Sequence, residues 1–236
     1  MGRGFYRTMT FQTSKIARVK AFAQRWGWLR TVFRAVMDIA GDYLGIHVFL
    51  IRGRHTTSEA SCPIKRPGIE LRRIERDTLM QSVDDPQLGL DQQFVDAALE
   101  RGDIPFGAFD ETLLVAYTWR TMTIAPHEDD VWVRATRPYS YAYKSFTRQE
   151  YRGNHILPAL ILYGDNEVLN LGFSHRVGFI AVTNFSSLAV GRYIHSHNFG
   201  YAGYLKWFGR FIAFRTRGVA EIGFEFIEQG DRLQEC

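Results

Sequence analysis

Residues 141–160 read YAYKSFTRQEYRGNHILPAL, and the fold turns on how this stretch is read. Branched and aromatic residues over 139–146 predict a strand that ends at Phe146-Thr147. A polar turn, Arg152-Gly153-Asn154-His155, follows, and an apolar helix over 156–171 begins at once. Pro158 falls in its first turn and Gly172 just past its end, the places each residue favours. A turn of this kind aims several backbone N–H groups at one point before a helix N-terminus. That geometry suits an anion such as a diphosphate, with Arg152 as counter-charge.

Downstream, the pattern predicts a strand over 176–183, a helix over 186–197 and two strands near 199–216 and 219–227. Upstream, a strand at 69–74 is followed by helices near 75–82 and 90–101. A hairpin then joins 106–109 to 113–124 through Asp110-Glu111. A polar loop over 125–130 leads to more strand through Arg134. A helix that returns the chain to a parallel neighbour is a βαβ crossover. The expected fold is therefore mixed α/β (α+β), a mostly antiparallel sheet with one such crossover.

The chain has 236 residues, 46% hydrophobic and 14% aromatic, enough to fill a sizeable core. Its net charge of +4 hides an asymmetry: residues 1–54 carry +8 and the remainder −4. The basic character belongs to the N-terminal part, which argues against nucleic acid as a partner of the core. Apolar residues at three- and four-residue steps predict helix over 14–44, with Ser14 as a cap and Gly27 and Gly41 as interruptions. IHVFLI (46–51) reads as a short strand. The domain reading is thus a basic helical extension (1–54), a linker (55–68) rich in Thr, Ser and Pro, and a core (69–236). Cys62 and Cys236 form no disulfide framework or metal-ligand spacing. No apolar run reaches the roughly 18 residues of a membrane span, so the expected address is cytoplasmic. His195 and His197 stand two apart on the predicted helix and share no face, so no metal site is expected.

Beyond these readings, the sequence resembles the GNAT N-acetyltransferase superfamily. TRQEYRGNHILPAL is similar to that family's loop, whose amides hold the coenzyme A diphosphate. Asn184-Phe185-Ser186-Ser187 with Asn198-Phe199 is similar to a later family motif, and GAFDETLLVAYTW (107–119) to its preceding hairpin. The likeness covers about residues 69–227. It departs from the pattern at His155 and Leu157, which stand where small residues are usual, so the diphosphate loop is atypical.

The resemblance implies an acyl-coenzyme A-dependent N-acyltransferase, acetyl being the default group, acting by direct attack of a small-molecule amine on the thioester and needing no metal. It implies cofactor contacts at Phe146, Thr147, Arg152, Gly153, Asn154, His155, Ile156, Leu157, Asn184 and Ser187, with the Phe146 N–H polarising the thioester carbonyl. It places a thiolate-protonating tyrosine near Tyr193. For deprotonation, Tyr141, Tyr143 and Ser145 are expected on one strand face with Lys144 on the other, the hydroxyls of Tyr143 and Ser145 holding a water. Two alternatives remain open: an acyl-carrier-protein-dependent long-chain N-acyltransferase, and a non-catalytic binding module. The basic 14–44 helix reads as docked on the core or on a second copy in a homodimer, or as peripheral on anionic lipid.

Overall fold

A computed structural model describes residues 15–56, 61–128, 130–190, 193–194 and 196–229. Ser14, His195 and Cys236 lie outside the described residues. In chain order the elements are α1 (Lys15–Trp26), α2 (Trp28–Leu44), β1 (Ile46–His55), β2 (Ile69–Arg73), α3 (Arg76–Val83), α4 (Gln92–Glu100), β3 (Ile104–Asp110), β4 (Leu113–Thr121), β5 (Ile124–Pro126), β6 (Val131–Arg134), β7 (Tyr139–Thr147), α5 (Ile156–Leu169), β8 (His175–Ala181), α6 (Phe185–Val190), β9 (His197–Trp207), β10 (Arg210–Arg215), α7 (Arg217–Glu221) and β11 (Glu225–Glu228).

The main sheet has eight strands in the order β10-β9-β1-β8-β7-β4-β3-β2, and β11-β6-β5 form a second, smaller sheet. All pairings are antiparallel except β7 with β8, joined through α5. The expected fold class is the one observed.

Strand alternation divides the main sheet into two faces. On one, Phe49, Tyr141, Phe179 and Tyr204 pack with Phe226 of the small sheet and Phe224 just before it, while α4 covers Trp119. On the other, α5 lies on Phe106, Ala108 and Ala116 through Ile156, Leu160 and Val168. Gly164 lets it approach closely, since a Cβ there would sit 2.9 Å from the Phe106 ring. α2 lies on the α5 side, over β1 and β9. It turns Phe33 and Met37 toward Val48 and Leu50 and leaves Trp28, Leu29 and Tyr43 exposed.

Three expectations are corrected. First, β1 runs between β8 and β9, so residues 46–55 belong to the main sheet and the boundary drawn at 54 falls inside a central strand. Second, the helix expected over 186–197 ends at Val190, and His197 and Asn198 already pair with β1 as part of β9. Third, the single strand expected over 199–216 is a hairpin: Trp207 faces Arg210 across Phe208-Gly209, both at positive φ (48° and 73°), the signature of a type I′ turn. Among the described residues no helix is long and apolar enough to cross a membrane.

Candidate functional site

β7 and β8 pair at only three positions, Tyr139 with His175, Ser140 with Arg176 and Tyr141 with Val177. Beyond them β8 continues along β1 to Ala181, while β7 continues along β4 to Thr147. The strands part because each follows a different neighbour, and the gap opens at Ala142 and Gly178. A β-bulge steers β7 away. Tyr117 faces Phe146 and Trp119 faces Tyr143, so Lys144 and Ser145 together oppose Thr118. Lys144 takes the bulged conformation at φ 44°.

The bulge corrects the expected alternation. The Ser145 hydroxyl meets the Thr118 hydroxyl at 2.8 Å, on the α5 side. Lys144 shares the Tyr143 face, its Nζ 4.2 Å from the centre of the Phe94 ring. Lys144, exposed at the mouth of the gap, has its pKa lowered by desolvation, which nearby Asp91 opposes. Tyr143 donates to Asp103 Oδ2 at 2.6 Å and accepts from Arg101 at 3.3 Å. Burial, then Asp103, raises its phenol pKa far above the ordinary range. The Tyr143 and Ser145 hydroxyls thus bond to Asp103 and Thr118 from opposite sheet faces, not from the single face expected.

The gap contains a cavity of about 410 Å³ between β7, β8 and Leu157 and Ile161 of α5. It shares Ser145, Leu157, Asn184 and Ser187 with an outer cavity of about 680 Å³ at the N-terminus of α5. It also shares His127, Tyr141, Tyr143, Lys144 and Phe179 with a third cavity, about 790 Å³, on the opposite sheet face. The three cavities thus adjoin through shared walls from the start of α5 to the opposite face of the sheet.

Phe146, Thr147, Arg152, Gly153, His155, Ile156, Leu157, Asn184, Ser187 and Tyr193 all line the outer cavity, with Lys65. Gly153 and His155 both have positive φ (82° and 61°), and the first-turn N–H groups of α5 have no carbonyl one turn back to bond. Arg152 is tethered by a 3.1 Å bond from its Nε to the Thr147 carbonyl. Asn154 turns inward, its Nδ2 donating to the Tyr151 carbonyl at 3.2 Å while its own carbonyl accepts from Lys65 N–H. Asn184 accepts from Ser187 N–H at 3.1 Å and so closes the start of α6. Tyr193 sits in a turn, half-exposed, its ring 4.6 Å from that of His155. It lines the outer cavity and not the inner one.

His127 is the residue that sequence reasoning missed. It lines both the inner and the opposite-face cavities and packs edge-on against Phe49 and Phe179. Desolvation lowers its pKa to about 4 despite the nearby Glu128, so at neutral pH it presents an unprotonated imidazole. Below pH 6.5 the unfolded chain takes up a proton that the folded chain refuses. Stability should fall by roughly 3 kcal/mol as pH drops from 6.5 toward 4. In urea titrations across that range, His127→Leu should lose this part of the slope. Among the described residues no group of His, Cys, Asp or Glu is placed to hold a metal ion.

No family model matches the chain, and no curated protein matches it in sequence. Solved structures do. A tandem GNAT protein from the clavulanic acid biosynthesis pathway is 16% identical, with TM-score 0.48, over 80% of this chain and 57% of its own. A GNAT-family acetyltransferase from Colwellia psychrerythraea is 12% identical, with TM-score 0.46, over 77% and 56%. A GCN5-related N-acetyltransferase-like protein from Streptococcus suis is 13% identical, with TM-score 0.44, over 70% and 64%. The matched region thus spans less than two thirds of the length of these structures, and at these identities the likeness carries no argument about activity.

Proposed function

We propose that the protein transfers an acyl group from a pantetheine thioester, such as acetyl-coenzyme A, to an amine. One observation carries the reading: the row of adjoining cavities from the N-terminus of α5, across the β7/β8 gap, to the far side of the sheet. A diphosphate would take the N–H groups around Gly153–Leu157 with Arg152 and Lys65 as counter-charges. The pantetheine arm would follow the gap, where β7 has no partner on its β8 side beyond Tyr141, so a β7 N–H facing the gap can polarise the thioester carbonyl. The acceptor would enter from the opposite cavity, which Asp91 and Glu128 line together with Arg101 and Lys144.

The amine nitrogen attacks the carbonyl carbon, the C–S bond breaks, and the thiolate takes up a proton. The nitrogen gives up a proton, for which neutral His127 is placed as acceptor. Tyr193, at the outer mouth, serves in this reading as a wall of the diphosphate site.

An acidic carrier protein presenting the same pantetheine is a second donor, favoured by exposed Lys65 and Arg152 at the mouth and by His155 in place of a small residue. Calorimetry with coenzyme A and a free-thiol assay with acyl-coenzyme A, acyl carrier protein and an amine panel separate the two donors. Gly178 sits at the apex of the gap, with only the Ala142 carbonyl 3.5 Å from a Cβ there. Gly178→Leu should fold normally and bind coenzyme A at least about 100-fold more weakly, by filling the space the arm needs. If wild-type protein fails to bind either donor at millimolar concentration, the reading is wrong.

A further inference from the structure

The inner end of the gap cavity carries an excess of positive charge. Arg52, Arg176 and Lys144 line the cavity beside the neutral His127, and among the described residues no carboxylate does. Arg54 stands directly opposite Arg176 across the β1/β8 pairing, and Arg120 comes from β4 behind them. Among the described residues, the acid in this buried group is Asp165 of α5. Its Oδ1 accepts from Arg120 at 2.8 Å and its Oδ2 from Arg176 at 3.1 Å.

The other contacts seen for Arg52, Arg120 and Arg176 are neutral. Arg52 donates to the carbonyls of Leu188 and Ser196 at 3.0 and 3.2 Å, and its buried Nε has no partner. Arg176 donates to Ser196 Oγ at 3.1 Å. Arg120 is fully buried, with Nε and one terminal nitrogen unpartnered. Arginine stays protonated, and a buried charge is tolerated when it is paired. Among the described residues, Arg52, Arg120 and Arg176 gather around one carboxylate, which leaves the pocket short of negative charge. Carbonyl contacts hold the arginines in place without cancelling that charge.

We propose that Arg52 and Arg176 bind the distal carboxylate of a short dicarboxylic acyl group, of the succinyl or glutaryl type, carried by the thioester. This rests on the acyltransferase reading and narrows its donor. A thioester carbonyl in the gap beside β7 would direct its acyl chain toward Gly178, which pairs with Arg52. An acetyl group would stop short of the guanidiniums, whereas a chain of four or five carbons ending in a carboxylate spans the cavity and supplies the missing charge. Transfer proceeds as for any thioester: the carbonyl carbon gains nitrogen and loses sulfur, and the distal carboxylate takes no part in bond making.

The test is a calorimetric comparison of succinyl-coenzyme A with butyryl-coenzyme A, which match in chain length and differ in the terminal charge, alongside free coenzyme A. A charge-assisted contact should give succinyl-coenzyme A an affinity about 10- to 100-fold higher. In R52Q the ratio should fall toward one. If R52Q does not fold, the wild-type comparison still decides. Equal affinities of the two thioesters would overturn the carboxylate site while leaving the acyltransferase reading intact. Failure of coenzyme A and both thioesters to bind would overturn both together.

Discussion

Asp165→Ala should lower stability by about 3–5 kcal/mol, the usual cost of removing one partner from a buried ion network. Among the described residues its carboxylate is the negative charge that Arg120 and Arg176 touch, and both side chains are almost wholly shielded from water. Without it, guanidiniums that cannot deprotonate repel one another in a poorly solvated pocket. The midpoint of urea unfolding measures the loss. Asp165→Asn keeps the shape but not the charge and should recover little. Asp165→Leu with Arg120→Met and Arg176→Met should recover much of it, because apolar groups replace the whole set. A midpoint within experimental error of wild type for Asp165→Ala would show that the arginines are neutralised by something other than this residue.

Gly203→Ala should be comparably damaging, at upward of roughly 3 kcal/mol, for a steric reason. A Cβ at Gly203 would run into the His47 carbonyl oxygen of the neighbouring strand and the Phe214 ring beyond it. The ring can turn aside, but the carbonyl is fixed by the sheet, so β1 and β9 would have to separate. Gly209→Ala is the control. It lies in the hairpin turn with open space around it and should cost only the penalty of positive φ, about 1–2 kcal/mol. Thermal unfolding of the two variants separates backbone collision from turn strain.

The part of the fold legible in the sequence was the part encoded locally. Pro158 and Gly172 mark the ends of a helix between two apolar runs, and that alone predicts the β7-α5-β8 crossover. The same punctuation brought Arg152, Gly153, His155 and Leu157 to one cavity with Asn184 and Ser187, although the last two lie on a different element. What was not legible depends on distant partners. IHVFLI reads as a strand, but nothing within it says that β8 and β9 will flank it. The bulge at Lys144-Ser145 uses ordinary residues in place of glycine and leaves no mark in the pattern, so the face each side chain takes was misread. His127 sits in a polar loop, and only the aromatic rings folded over it suppress its charge. The Phe208-Gly209 turn carried a signal, a glycine between two apolar runs, that the longer strand reading overrode.

The position of β1 has a bearing on how the molecule is made. Its neighbours on both sides come from the last third of the chain, Phe49 lying opposite Ala181 on one edge and Ala202 on the other. During synthesis this strand leaves the ribosome early and must wait, its backbone unsatisfied, until nearly everything else has been translated. Pairings of such long reach nucleate slowly. The nascent protein should therefore depend on chaperones to keep IHVFLI from pairing with other chains.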